Sequence, residues 1–205
     1  MQLTPAESRR QRHRKEARRT ILDATESLMV ERGSDDFSIR RLAQRSGYTA
    51  PTIYHHFGDK QGLIDALLEE RFSRLLAMVQ RVDRGADPVA NLRAMIGAFL
   101  RFGGENPTFY RLVLAGGPAG DDRTPASAEK VRELMEHPWQ DLHRSGRLAD
   151  DDPVAASQSL WALLHGLTAL QVGRPDIEWA SNLTEIAIDS MLRGLLRPTP
   201  NGVPR

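Results

Sequence analysis

Between Thr49 and Phe57 the chain reads Thr-Ala-Pro-Thr-Ile-Tyr-His-His-Phe, a run rich in hydroxyl and imidazole groups with small residues at its start. Such groups suit hydrogen bonding to phosphate oxygens, while short Thr and Ala side chains can come close to base edges. Lys60 follows shortly afterwards. Upstream, Arg9, Arg10, Arg12, Arg14, Lys15, Arg18 and Arg19 gather most of the positive excess. The formal net charge of +1 hides this asymmetry: residues 1–60 carry 12 Lys and Arg against 8 Asp and Glu, and residues 61–205 carry 16 against 19. A polyanion partner at one end fits that division, although a solvated basic tail would give the same charge run.

Other chemistries find little support. The chain has no cysteine, which removes disulfides, thiol catalysis and cysteine zinc sites together. Its His and carboxylate residues show no metal-ligand spacing, and neither a nucleophile elbow nor a phosphate loop is present. No enzyme activity, metal or cofactor is therefore expected. No apolar run reaches the roughly 20 residues that span a bilayer. The N-terminus is basic but lacks the apolar stretch of a secretion signal, so a cytoplasmic protein without a membrane partner is expected.

Helical spacing supplies the elements that must hold these residues. Hydrophobic residues make up 40% of the chain, enough for a substantial core, and no segment alternates with a strand period. Ala17, Ile21, Ala24, Leu28 and Met29 form one apolar stripe, with Gly33 as a plausible stop. A longer stripe runs from Leu63 to Val79. Asp87-Pro88 reads as a cap and first turn, opening a helix with Val89, Leu92, Ile96, Phe99 and Leu100 on one side. A short helix starts at Pro107. Ala115 to Ser127 lacks a stripe and reads as a loop, after which Val131, Met135, Trp139 and Leu142 recur and Gly146 ends the helix. Two final helices are expected, from about Asp152 to Val172 and from about Trp179 to Leu196, followed by a proline-rich tail. The expectation is an all-α chain of about nine helices.

Two short helices after Gly33 are well punctuated. Ser38 is an N-cap behind Phe37, with Leu42 placed to staple against it; Thr49 is the next cap, behind Tyr48 and ahead of Ile53. Gly47 between them suits a left-handed turn. Ala43 stands where crossed helices approach closely, and Ile53 returns the second helix to the core. The Ala43, Gly47, Ile53 spacing is that of a helix-turn-helix, though a generic helical hairpin shares its parts. Lys60 opposes the dipole of the helix it opens, and a phosphate held at that helix end would give it a reason.

From about Glu16 to Leu68 the chain resembles the DNA-binding domain of the tetracycline repressor (TetR) family. The resemblance rests on the apolar first helix, Phe37-Ser38-Ile39-Arg40-Arg41-Leu42-Ala43, Ser46-Gly47-Tyr48-Thr49, Ile53-Tyr54-His55-His56-Phe57 and Asp59-Lys60-Gln61-Gly62-Leu63. Tyr48 departs from the small aliphatic residue often found there. The resemblance implies DNA-facing roles for Ser38, Arg40, Thr49, Ala50, Thr52, Tyr54, His55 and Lys60. Of these, Thr49, Ala50 and Thr52 are expected nearest the bases, and Ser38, Tyr54, His55 and Lys60 on phosphates. The arginine-rich segment is expected to precede the first helix and add nonspecific affinity.

The expected domains are 1–62, with the basic arm and helix-turn-helix, and 63–205, for effector binding and dimerisation. Trp161-Ala-Leu-Leu-His165-Gly166 and Pro107-Thr108-Phe109-Tyr110-Arg111-Leu112 resemble one subgroup of the family's C-terminal domains, marked by a Trp-His-Gly pattern. Candidates to line a pocket for a small apolar or amphipathic effector are Met95, Phe99, Phe102, Phe109, Tyr110, Trp139, His143, Trp161 and His165, although aromatic residues at helical spacing are as readily plain core. The last two helices are apolar on more than one side, which points to packing beyond their own domain. Leu163, Gly166, Leu167, Leu170, Ile188, Met191, Leu192 and Leu195 are the expected homodimer contacts. The implied function is a dimeric regulator, a repressor released from palindromic double-stranded operator DNA by an effector, with the helix from Lys60 to about Val82 as lever. A helical module without DNA binding, or an activator, are the rival readings.

Overall fold

The computed structural model describes residues 5–32, 37–83, 85–114 and 124–198. Gly33, most of the expected loop at 115–127 and the end of the proline-rich tail lie outside the described residues. Among those described there are nine helices and no strand: α1 (Pro5–Arg32), α2 (Ile39–Ser46), α3 (Ala50–Phe57), α4 (Lys60–Gln80), α5 (Pro88–Glu105), α6 (Pro107–Leu114), α7 (Ala126–Arg144), α8 (Pro153–Gly173) and α9 (Leu183–Leu195). The all-α expectation holds. The chain divides into two compact units, Met1–Arg71 and Phe72–Arg205, and the division falls inside the unbroken helix α4.

In the first unit, Ile21, Leu22, Leu28 and Met29 of α1 are buried, as are Leu42 of α2, Ile53 and Phe57 of α3, and Leu63 and Leu67 of α4. Thr25 lies in this apolar interior without penalty, because its hydroxyl donates to the Ile21 carbonyl at 2.7 Å. The Arg71 guanidinium is buried and paired with Glu26, tying the middle of α4 to α1. On the surface, Arg45 of α2 grips Glu31 of α1 with two bonds of 2.7 Å. One expectation is corrected here. The arginine-rich segment does not precede the first helix but lies within it, since α1 already begins at Pro5. Arg, Lys, Ala, Gln and Glu are strong helix formers, so the helix continues upstream although residues 9–16 are exposed.

The core of the second unit gathers Leu92 and Ile96 of α5, Trp139 and Leu142 of α7, Leu160 and Leu164 of α8, and Ile188 and Leu192 of α9. Two caps start its helices: Asp87 accepts from the Val89 N–H at 3.0 Å, and Asp152 from Val154 and Ala155 at 3.0 and 2.9 Å. The Val89 N–H and then the Arg147 guanidinium hold the Asp87 carboxyl below its usual range. Helices α5 and α8 meet at Gly103, where an added Cβ would stand 2.7 Å from the Thr168 methyl. An isolated antiparallel bridge joins Leu148 to Leu196, fastening the segment after α7 to the end of α9. The last helix starts at Leu183 rather than near Trp179, whose indole N–H instead donates to the Arg174 carbonyl at 3.2 Å in the preceding turn.

Candidate nucleic-acid interface and cavity

Each short helix of the first unit is fixed by its own cap. The Ser38 hydroxyl accepts from the Arg41 N–H at 3.4 Å, and the Thr49 hydroxyl from the Thr52 N–H at 3.3 Å. Gly47 turns the chain between them at φ 74°, in the left-handed region, and its N–H closes on the Ala43 carbonyl at 3.1 Å. With Ile53 fully buried and Phe57 nearly so, the opposite face of α3 is left outward. Thr49, Tyr54, His55 and Lys60 are exposed, as is Arg40 on α2; Ser38, Ala50 and Thr52 are half-buried. The Thr49 and Thr52 hydroxyls are 2.9 Å apart, which orients both at the start of the helix.

One donor of the helix end that Lys60 opens is occupied. The Gly62 N–H at the start of α4 is already taken by the Asp59 carboxylate at 2.7 Å, so that donor is not open to a phosphate. The Lys60 ammonium instead lies 5.4 Å from the centre of the Phe37 ring. Gly62 has a separate, steric reason: a Cβ there would come within 2.1 Å of the Phe57 carbonyl oxygen.

Sequence reasoning missed a cationic group beside α3. The Arg18 guanidinium covers the Phe57 ring at 4.9 Å. The His56 imidazole is pushed below its ordinary value, first by burial and then by His55, Arg14 and Arg18. Arg14 and Arg18 therefore bring positive charge to the C-terminal end of α3, where the helix dipole favours it. The four-residue recurrence of Arg10, Arg14 and Arg18 is the available signal, masked by the lack of an apolar stripe upstream of Ala17.

The second unit holds a cavity of about 700 Å³. Among the sequence candidates, Phe99, Phe102, Phe109, Tyr110, Trp161 and His165 line it. Met95 and Trp139 are instead buried in the core, and His143 stands away from the cavity with Nδ1 2.9 Å from an Asp151 carboxylate oxygen. The lining also includes Phe72, Leu75, Met135, Leu160 and Leu164, and a polar group of Glu129, Arg132, Glu136, Ser157 and Gln158. Phe109 packs edge-on against Phe72 and Phe102, with ring centres 5.0 and 5.6 Å apart. His165 is enclosed by Phe99, Tyr110 and Trp161 at 5.6, 5.6 and 4.5 Å. Its Nδ1 is 2.7 Å from the Tyr110 hydroxyl. Burial lowers the His165 pKa and pushes that of Tyr110 up to about 12, so both are neutral near pH 7.

The expected dimer residues fall into two groups. Ile188 and Leu192 are packed in this protomer's own core, and Leu167 is buried. Gly166 and Leu170 are exposed, with Leu163, Met191 and Leu195 half-buried. Helix α8 presents Ala155, Ser159, Ala162, Gly166, Leu170 and Gly173 along one exposed stripe, and α9 presents Ile186, Ser190 and Gly194.

Residues 21–67 match the model for bacterial regulatory proteins of the tetR family, and residues 92–195 that for the tetracyclin repressor-like C-terminal domain. The chain is 26% identical over 185 residues to the transcriptional activator FasR of Mycolicibacterium smegmatis, covering 90% of this chain and 81% of FasR. It is also 26% identical over 138 residues to the transcriptional repressor KstR of Mycobacterium tuberculosis, covering 67% of this chain and spanning 63% of KstR. A solved structure of a protein of unknown function from Rhodococcus sp. RHA1 superposes with a TM-score of 0.74 at 25% identity, over 88% of this chain and 95% of that one. FasR and KstR are both named as transcriptional regulators, and no described helix is long and apolar enough to cross a membrane. The chain belongs to the TetR family of helix-turn-helix transcriptional regulators.

Proposed function

We propose that this regulator is a cytoplasmic homodimeric repressor that leaves a roughly palindromic operator when a small molecule fills the cavity of its second unit. The observation that carries this reading is the exposed face of α3, held by the Thr49 cap and the left-handed turn at Gly47. Thr49, Ala50 and Thr52, at the N-terminal end of that helix, approach base edges. Ser38, Arg40, Tyr54, His55 and Lys60 hold phosphates, and Arg14 and Arg18 add to the electrostatic grip. The functional division lies near residue 62, with the sensing and pairing functions carried from 63 onward. Gly166 and Leu170 of α8, with the half-buried Leu163, Met191 and Leu195, form the pairing surface. Two reading helices then meet successive major-groove segments.

The effector acts by binding one of two conformations more tightly, and α4, continuous from Lys60 to Gln80, is the covalent route between the units. Repression is the sign carried in the name of KstR, and activation that in the name of FasR. A reporter strain with the gene deleted separates them, derepression being expected.

A gel shift against DNA flanking the protein's own gene tests the reading directly. A sequence-selective band is expected. In the variant Lys60→Gln, the slope of log affinity against log salt should flatten by about one, as for one lost phosphate contact. An unchanged slope removes Lys60 from the contacts, and the absence of any selective band defeats the operator reading.

A further inference from the structure

The charged groups of the cavity are arranged in a way that selects among ligands. Arg132 is the cation among its described lining residues, and its charge is paired with two carboxylates. Nε and one terminal nitrogen donate to Glu129 at 3.1 and 2.7 Å, and the other terminal nitrogen donates to Glu136 at 2.7 Å. With two carboxylates around one guanidinium, this edge of the cavity carries a net negative charge. An entering carboxylate or phosphate would meet that charge and find no unpaired cation among the described lining residues, at the cost of its own hydration.

The other polar feature has a different character. His165 Nδ1 is occupied by the Tyr110 hydroxyl, which also lies 3.3 Å from the His165 backbone carbonyl. The second ring nitrogen, Nε2, has no hydrogen-bond partner among the described residues. Because the ring lines the cavity between Phe99 and Trp161, an oxygen-bearing ligand there would meet an imidazole with one nitrogen already engaged. Either tautomer serves. Nε2 donates to a carbonyl or hydroxyl oxygen if Tyr110 donates to Nδ1, and accepts from a hydroxyl if the roles are exchanged.

We infer that the cavity takes an uncharged, ring-bearing apolar molecule with a hydroxyl or carbonyl oxygen placed against His165, and discriminates against anions of the same shape. This inference rests on the effector reading above and adds the chemical class. The aromatic walls supply area and ring packing, His165 supplies orientation, and the Glu129–Arg132–Glu136 group supplies exclusion.

Calorimetric titration of the full-length protein at pH 7.5 with 2-naphthol, 2-naphthoate and naphthalene separates these contributions. The neutral alcohol should bind at least about tenfold more tightly than the carboxylate, and several-fold more tightly than the bare hydrocarbon. In His165→Phe, with folding checked by circular dichroism, the affinity for 2-naphthol should fall to that for naphthalene while naphthalene binding persists. If that variant does not fold, Tyr110→Phe, which frees Nδ1 and the tautomer, should reduce the advantage of 2-naphthol in the same direction. The inference is overturned if 2-naphthoate binds as tightly as 2-naphthol, if the advantage of the alcohol survives the substitution, or if none of the three binds. A gel shift with saturating 2-naphthol keeps the two proposals apart. If the alcohol shows the expected signature and the DNA band does not move, the cavity chemistry stands and the effector reading falls. If 2-naphthoate binds tightly and releases DNA, the effector reading stands and the chemical class falls.

Discussion

His56 links the chemistry of the reading helix to pH. Its pKa is lowered by partial burial, then by His55, Arg14 and Arg18, so the unbound ring is mostly neutral near neutrality. A DNA phosphate nearby reverses the sign of its surroundings and favours the protonated form. Binding then takes up a proton, and by linkage the affinity should rise as the pH falls below the ordinary histidine value of 6.5. Fluorescence anisotropy with operator DNA at pH 7.5 and pH 5.8 measures this. The wild type should tighten at the lower pH, and His56→Gln should flatten the response. Equal pH dependence in both proteins would mean that His56 takes no part. Residue-scale reading of the sequence succeeded where the signal is local: the Ser38 and Thr49 caps and the Gly47 turn each depend on neighbours within a few positions. It failed for Trp139 and Met95, because helical spacing identifies an inward side chain but cannot say whether core or cavity receives it.

At the scale of elements, the approach of α5 to α8 gives a sharper test than any single hydrophobic deletion. Ala is the better helix former, so Gly103→Ala in open space would stabilise by about 1 kcal/mol. Here the new methyl meets Thr168 Cγ2 at 2.7 Å, and Thr168 cannot turn away freely because its hydroxyl donates to the Leu164 carbonyl at 2.9 Å. A net loss of about 1–3 kcal/mol, the usual range for overpacking, is expected by denaturant titration. Adding Thr168→Ser removes the offending methyl and should restore the stability. A double variant no better than the single one would locate the strain elsewhere. The helix boundaries show why sequence reading is uneven. Asp87 and Asp152 announce α5 and α8 through side-chain caps, whereas the sequence at the start of α1 carries no apolar stripe to mark it.

For the whole molecule, the exposed stripes of α8 and α9 bear on assembly. Leu170 and Ile186 are about half exposed, at 51% and 53%, amid Ala, Ser and Gly residues that leave room for a second backbone. The double variant Leu170→Glu, Ile186→Glu places like charges on both copies of such a surface. Analytical ultracentrifugation should then report a monomer, and operator affinity should fall at least about tenfold as two linked half-site contacts become one. A dimer that persists with full affinity would place the pairing surface on other helices. The fold class was legible from the periodicity of the chain, but an apolar helix face does not tell interior from interface: α9 is apolar on two sides, and Ile188 and Leu192 pack in the protomer's own core. The clamp on Arg132 carries one more consequence. Specificity against acids is set by two side chains on one helix, apart from the aromatic walls that set size and shape. Replacing Glu129 and Glu136 with glutamine would release a guanidinium into an otherwise unaltered chamber, so a biosensor built on this scaffold could be retuned from alcohols to acids without recasting its interior.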